Sequence, residues 1–316
     1  MKLPSFIKTS EPLAKHTTLG IGGPAKYFAP VTDETKRILA NNFVFNRKRD
    51  GYNTNIFVIG GGSNILFSDK GFNGLVIKIS NNELILDEEG IEAGAGASMA
   101  SLVRLAEYSG TTGFEWAAGL PGTVGGAVFG NAGCYGGQMW DSVESITCFK
   151  MDGLMGKKFE VEAGDNLYGY RWSFFKNHPD WIILSVRLKT EISAGGRNEV
   201  IRKTSEVMKK RKASQPKERS LGCIFKNPNK IPIGELELKS ASWLIDKAGC
   251  KGMCIGVVRV SGVHANYFVN DRRVLSRPLS NGPANDMFEL IKSVRSVVYE
   301  KFGIMLEEEI IRVGEF

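Results

Sequence analysis

Between residues 119 and 137 the chain reads GLPGTVGGAVFGNAGCYGG, eight glycines in nineteen positions. Glycine loses more backbone freedom on ordering than any other residue, so a run this dense between well-patterned flanks implies a backbone held where side chains would obstruct. A second cluster, GGGSN at residues 60–64, directly follows the apolar run NIFVI. A turn there leaves several backbone N–H groups pointing one way with no Cβ in front of them, a concavity that suits a diphosphate. The competing reading is a tight turn between two strands.

Two common nucleotide folds do not fit. A Rossmann fingerprint needs a third glycine where Ile65 stands and a helix opening there, whereas the run that follows has strand character. A Walker A loop needs Gly-Lys followed by Ser or Thr, and the single such pair, Gly156-Lys157, precedes Lys158. Two glycine-rich walls in one domain can instead enclose an extended dinucleotide, with Leu120, Val124 and Val128 along a flat apolar ring. Flavin adenine dinucleotide (FAD) matches that description better than ATP does.

Charge narrows the partners. With 41 basic and 34 acidic residues the net charge is +7, and basic positions cluster at Arg47, Lys48 and Arg49 and at Lys209, Lys210, Arg211 and Lys212. Such runs read either as solvated faces or as sites for small polyanions. No aromatic residues interleave with them, which argues against nucleic acid. The five cysteines are an odd number without disulfide or zinc spacing. The N-terminus has no signal-peptide core, and no uncharged apolar run reaches 18 residues, so a reduced, cytoplasmic protein that does not enter a membrane is expected.

The hydrophobic pattern alternates strands and helices and predicts an α+β fold. Met99, Leu102, Val103 and Ala106 share one helical face closed by Gly110; Met287, Leu290, Ile291, Val294, Val297 and Val298 share another closed by Gly303. The segment TEISAGG, residues 190–196, breaks the pattern, and a polar helix is predicted over 197–212. The expected organisation is an FAD-binding domain over 1–196, in lobes of about 1–79 and 80–196, and a smaller α+β substrate domain over 197–316.

Six blocks then occur in order: GGGSNILFSD, the glycine segment 119–137, YRWSFFK, SLGCIFKNP, WLIDKAGCKGMCIGVVRVSGVHANYFVN and the terminal EIIRVG. In this the chain resembles the UDP-N-acetylenolpyruvoylglucosamine reductases of peptidoglycan synthesis, from about Thr17 to the end. The resemblance implies an FAD domain of the flavin-oxidase (PCMH-like) type and a C-terminal tail returning to the active site. It implies NADPH as reductant and UDP-N-acetylglucosamine enolpyruvate as the small-molecule substrate, acted on by a monomer. A different FAD-dependent oxidoreductase acting on a sugar or alcohol would explain both glycine segments, but not SLGCIFKNP or the terminal glutamate.

The resemblance also implies roles. Arg171 would hold the substrate carboxylate and take up enolate charge; Glu309, five residues before the last glycine, would orient the carboxylate or donate to the enolate. Cys223 stands where the family has a serine that protonates the substrate carbon, and a thiol, with a reference pKa of about 8.5, releases its proton more readily than an alkyl hydroxyl. The cofactor set carried over is Gly60, Gly61, Gly62, Ser63, Asn64, Ile65, Pro121, Gly122, Thr123, Gly126, Phe129, Asn131 and Gly133. The substrate set is Tyr135, Tyr170, Arg211 and Asn227, with Lys176 a further phosphate candidate and His264 a core or supporting residue. The basic residue usual two positions after the glutamate is Ile311 here, followed by Arg312. The short gap between SLGCIFKNP and VHANYFVN places the chain with compact members that lack an extra tyrosine-bearing loop.

Overall fold

The computed structural model describes residues 3–33, 40, 42–43, 55–151, 156–228, 239–271 and 282–316. The basic run at Arg47, Lys48 and Arg49 lies outside them. The fold is α+β, and the chain forms two compact units: Met1–Glu11, Lys26–Gly61 and Asn73–Arg211 make the first, and Pro12–Ala25, Gly62–Phe72 and Lys212–Phe316 the second.

The first unit carries two sheets. One has the strand order Lys8–Pro12, Pro24–Val31, Phe72–Ile79, Asn55–Ile59, and its last two strands run parallel. The other is antiparallel, in the order Lys157–Glu162, Val143–Lys150, Trp181–Leu188, Ile91–Gly94, Leu84–Leu86. The helix Met99–Ser109 forms as its sequence predicts. Ser98 caps the N-terminus by accepting from Ser101 N, Gly110 closes the other end at φ 73°, and Met99, Leu102, Val103 and Ala106 are buried. Full burial of Leu102 alone stabilises by about 1.5–3 kcal/mol.

The polar helix extends over Gly196–Ser214, and through Arg211 it belongs to the first unit. The first unit's last segment therefore runs on to Arg211, past the pattern break near 196. The helix buries Val200, Thr204 and Arg211 and packs Val207 and Met208 against the first unit's core, so apolar and polar contacts attach it together. Thr204 Oγ1 donates to Glu107 Oε1 at 2.6 Å, and Met208 and Arg211 cover Gly119.

The second unit has its own core. Strands Arg219–Cys223, Tyr267–Asn270, Val258–Val260 and Cys254–Ile255 form an antiparallel sheet in that order. The helix Pro283–Phe302 buries Met287, Leu290, Ile291, Val294 and Val298 in this core and ends at Gly303, φ 66°. Its first turn is capped from a distant segment: Asp69 Oδ2 accepts from Ala284 N at 2.8 Å and Asn285 N at 3.0 Å. Beside this, Ile311–Val313 pairs in parallel with Ile65–Phe67. Among the described residues no helix is long and apolar enough to cross a membrane.

Candidate active site

The glycines at 119–137 divide into two kinds. A Cβ at Gly125 would lie 2.7 Å from the Ala95 Cβ, one at Gly119 2.6 Å from the Met208 sulfur, and one at Gly137 2.5 Å from Trp116 Cγ. These are glycine because the protein itself packs there. At Gly130 and Gly136 a Cβ would meet nothing within 4 Å, and at Gly126 only the Thr123 hydroxyl at 3.4 Å. Those three leave bare backbone facing open space.

The first two glycines of the other cluster, Gly60 and Gly61, lie against this segment. A Cβ on Gly61 would sit 2.7 Å from Gly122 Cα, and one on Gly60 would collide with the Thr123 hydroxyl. Gly62 adopts φ 64° and crowds His16 O, which no L side chain tolerates. Among the described residues, no hydrogen bond engages the backbone N–H of Gly61, Gly62, Ser63 or Asn64. Consecutive free amides on a turn opened by glycines are what a diphosphate requires, so the residues present fit FAD. Within the first unit Pro121 and Gly126 are both exposed, and Thr123 is the N-cap that accepts from Gly126 N.

Arg171 and Tyr170 form the tip of a hairpin between Tyr168–Gly169 and Trp172–Ser173. Arg171 has φ 55°, a left-handed conformation that costs a non-glycine residue about 1–3 kcal/mol and persists only when its surroundings over-determine it. The surroundings do. Lys176 Nζ donates to the Arg171 carbonyl at 2.7 Å, and Arg171 Nη2 and Nη1 donate to Gly133 O at 2.7 Å and Asn131 O at 3.4 Å. Ser173 Oγ donates to Phe129 O at 2.6 Å, and Asn131 Nδ2 to Gly169 O at 2.9 Å, tying the hairpin to the end of the helix Val124–Gly130.

Of the four non-glycine residues with positive φ among the described residues, three, Asn131, Tyr135 and Arg171, fall in this one region. Strained conformations of this kind cluster at active sites and ligand clamps, which makes the region a candidate. Arg171 lines a hollow of about 250 Å³ with Asn131, Gly133, Gln138, Asp141 and Tyr170. A guanidinium at such a wall can take a carboxylate through two parallel hydrogen bonds. Asn131 itself is 1% exposed and uses its amide on Gly169 O, Gln138 Oε1 and Trp140 N, so its side chain braces the loop.

Also in the first unit, Arg211 is only 7% exposed. Nε donates to Ala118 O at 2.9 Å, Nη2 to Cys134 Sγ at 3.1 Å, and the guanidinium sits 5.2 Å from the Tyr135 ring centroid. Tyr135 and Tyr170 are 40% and 47% exposed, large rings left open to solvent beside these cations.

The second unit brings Cys223 and Glu309 onto adjacent chain segments. Cys223 ends its strand opposite Tyr267, and one residue on, Ile224 O accepts from Glu309 N at 2.8 Å. Asn64 Nδ2 donates to Glu309 O at 3.0 Å, and Asn64 O accepts from Ile311 N at 3.0 Å. Asn227 is exposed, and its Oδ1 accepts from Ala241 N at 3.0 Å. Arg312 Nε pairs with Glu308 Oε2 at 3.0 Å and its guanidinium lies 4.9 Å from the Phe288 ring centroid, while Arg295 takes the other Glu308 oxygen. Burial pushes the His264 pKa down, with Ser242 Oγ 3.4 Å from its Nδ1.

Thiol environments differ. Burial pushes Cys148 up to about 11 and raises Cys250, so both stay protonated and inert, whereas Cys134, Cys223 and Cys254 are half-buried. Sequence reasoning missed Lys176, Ser173 and Gln138 as braces, since no local pattern marks a side chain that bonds a carbonyl in another loop. It also missed the Asn64 side chain, although a polar residue ending a glycine run was a signal.

Known proteins are similar to this chain along its length. A family model for the UDP-N-acetylenolpyruvoylglucosamine reductase C-terminal domain matches residues 215–313, and one for an FAD binding domain matches residues 47–156. The UDP-N-acetylenolpyruvoylglucosamine reductase of Solibacter usitatus is 35% identical over 98% of this chain and 97% of its own length. That of Lachnoclostridium phytofermentans is 34% identical over 98% and 93%. The crystal structure of the reductase from Thermus caldophilus superposes with a TM-score of 0.76 at 32% identity, covering 96% of this chain and 97% of that one. Likeness of this extent, end to end and across both compact units, makes the chain a member of the UDP-N-acetylenolpyruvoylglucosamine reductase family.

Proposed function

We infer that this protein uses NADPH and FAD to reduce the enolpyruvyl ether of UDP-N-acetylglucosamine to UDP-N-acetylmuramate, a step in building the peptidoglycan precursor. The likeness to named reductases over the whole chain carries the reading. When bound, FAD supplies hydride chemistry. The chain itself must seat the cofactor, hold the substrate carboxylate, stabilise negative charge beside it and deliver one proton.

Each task has a residue set. The free amides at 62–64 are assigned to the diphosphate, and the bare backbone at Gly126 to the ring. Arg171, rigidly braced, pairs with the substrate carboxylate and stabilises enolate charge, a kind of interaction worth about 2.7–4 kcal/mol per donor. Cys223 gives the proton through its Sγ–H, and Glu309 orients the carboxylate or donates to the enolate oxygen. Tyr135, Tyr170, Arg211 and Asn227 bind the nucleotide-sugar. The neighbouring placement of Cys223 and Glu309 supports their joint assignment. The reading extends to a monomer working in the cytoplasm, which light scattering and cell fractionation test.

One anaerobic titration decides the activity. The purified protein should be yellow, bleach on addition of NADPH and regain colour when the enolpyruvyl nucleotide is added under nitrogen. Rapid recolouring by air alone, with no response to that nucleotide, would point to a flavin oxidase and overturn the reading.

A further inference from the structure

The proposed activity leaves one feature unexplained: how Glu309, in an irregular segment before the final strand, is kept in one place. The side chain of Asn64 stands at that point. Its Nδ2 donates to the Glu309 carbonyl at 3.0 Å, and its backbone carbonyl accepts from Ile311 N at 3.0 Å. Residues 309 and 311 are thus gripped by the two ends of one asparagine. On the other side Glu309 N donates to Ile224 O, next to Cys223, and Lys226 N donates to Glu307 O at 2.8 Å. Glu309 is therefore strung between the residue that ends the glycine turn and the strand that bears the thiol.

The neighbouring residue is fixed independently. Glu308 is clamped between Arg295 and Arg312. That clamp restrains the chain through a side chain one residue away, but the Glu309 peptide carbonyl is held by Asn64. Ordinary alternatives at position 64 lack the reach: serine is one bond short, and aspartate presents an acceptor to an acceptor.

We propose that Asn64 is a positioning residue for Glu309, and that the glycine turn thereby couples cofactor seating to the placement of the active-site carboxylate. The turn offers the diphosphate its backbone N–H groups, which every residue but proline retains at position 64, while the Asn64 amide side chain meets the Glu309 carbonyl. Seating the phosphates orders the turn, and the turn orders Glu309. The inference rests on the proposed function for the role of Glu309, but the mechanical coupling stands on the hydrogen bonds alone.

The test compares wild type, Asn64→Ala, Asn64→Asp, Glu309→Gln and the Asn64→Ala/Glu309→Gln double variant as FAD-loaded proteins. Stopped-flow absorbance measures bleaching by NADPH and recolouring by the enolpyruvyl nucleotide. Hydrogen exchange of the peptide covering 305–313 is followed in parallel. Asn64→Ala and Asn64→Asp should lower the ratio of recolouring to bleaching rates by about tenfold, the size expected for a slightly misplaced catalytic group. In the Glu309→Gln background Asn64→Ala should change that ratio less than about twofold, because residues acting as a unit are not additive. The 305–313 peptide should exchange faster in both Asn64 variants.

Equal slowing of both half-reactions, or full multiplication of the two single effects, would overturn the proposal. If wild type does not turn over the nucleotide, the functional reading fails by itself and hydrogen exchange decides the coupling. Unchanged protection of 305–313 in both Asn64 variants then rejects it.

Discussion

Arg171 and Glu309 are held in opposite ways. The arginine sits on a strained hairpin tip, φ 55°, kept there by side chains from elsewhere in its unit: Lys176 on its carbonyl, Ser173 on Phe129 O and Asn131 on Gly169 O. The carboxylate sits on unstrained chain, tied through its own backbone N–H to Ile224 O and through its carbonyl to Asn64. Backbone ties survive substitution of the residues that make them, whereas side-chain braces do not. The arginine site should therefore be fragile to changes in its neighbours, and the carboxylate site robust to all but Asn64.

The largest effect should come from the arginine itself. Arg171→Ala is expected to lower kcat by about 10²–10³-fold in steady-state assays, the loss typical of one charge-stabilising donor. Arg171→Lys should recover little, since an ammonium does not reproduce the two-pronged contact. A lysine variant near wild-type rate would break the assignment. Next, Cys223→Ala should lose about 10²-fold while Cys223→Ser stays within about tenfold of wild type, as expected for a proton donor. Substitution is a cleaner probe than alkylation, because Cys134 is also half-buried and contacts Arg211. Equal rates for the alanine and serine variants would remove Cys223 from the proton path.

Adjacent glycines sharpen the division between packed and open backbone. Gly125→Ala forces a Cβ against Ala95 and should destabilise by about 1–3 kcal/mol in thermal melts. Gly126→Ala should leave the FAD-free protein's melting temperature nearly unchanged and weaken FAD binding, read by equilibrium dialysis. Equal FAD affinity for wild type and Gly126→Ala would show that the cofactor does not approach this backbone.

The smallest effect separates the units by pH. Burial first, and then the nearby Asp69 charge, raises the Asp286 carboxyl above its ordinary value; burial also raises Asp69. A raised carboxylate binds its proton more tightly in the folded state. Its stabilising contribution is thus present below the unfolded value and is lost as pH rises through the folded value. In the first unit Glu199 is held down to about 2 by the Ser193 hydroxyl, then Lys203 and Gly195 N. Its contribution is complete above the unfolded value and is lost as pH falls through about 2. Asp286→Asn should therefore raise the melting temperature near neutral pH, with the gain shrinking toward mildly acid pH. A gain independent of pH would mean that Asp286 does not titrate as described.

Much of this molecule is written locally. The helices Met99–Ser109 and Pro283–Phe302, their closing glycines Gly110 and Gly303, and the strand before GGGSN follow from periodicity and turn chemistry within each local run. The ordered motifs identify the family for the same reason, since each is a short run read as it stands. The helix Gly196–Ser214 is legible as a helix but not in its allegiance, because the groups that Thr204, Val207, Met208 and Arg211 meet lie far off along the chain.

What the tertiary structure alone decided is which groups meet across long stretches of chain. Arg171 finds Gly133 O 38 residues away, and Asn64 finds Glu309 O 245 residues away. The same holds for the glycines of 119–137, identical as letters, where Gly125 is bare because Ala95 packs on it and Gly126 is bare with open space before it. A sequence specifies local conformation through each residue's own sterics, but the environment of a backbone atom belongs to the fold. Hydrogen-bond partners and close approaches are properties of pairs, and only folding brings these pairs together.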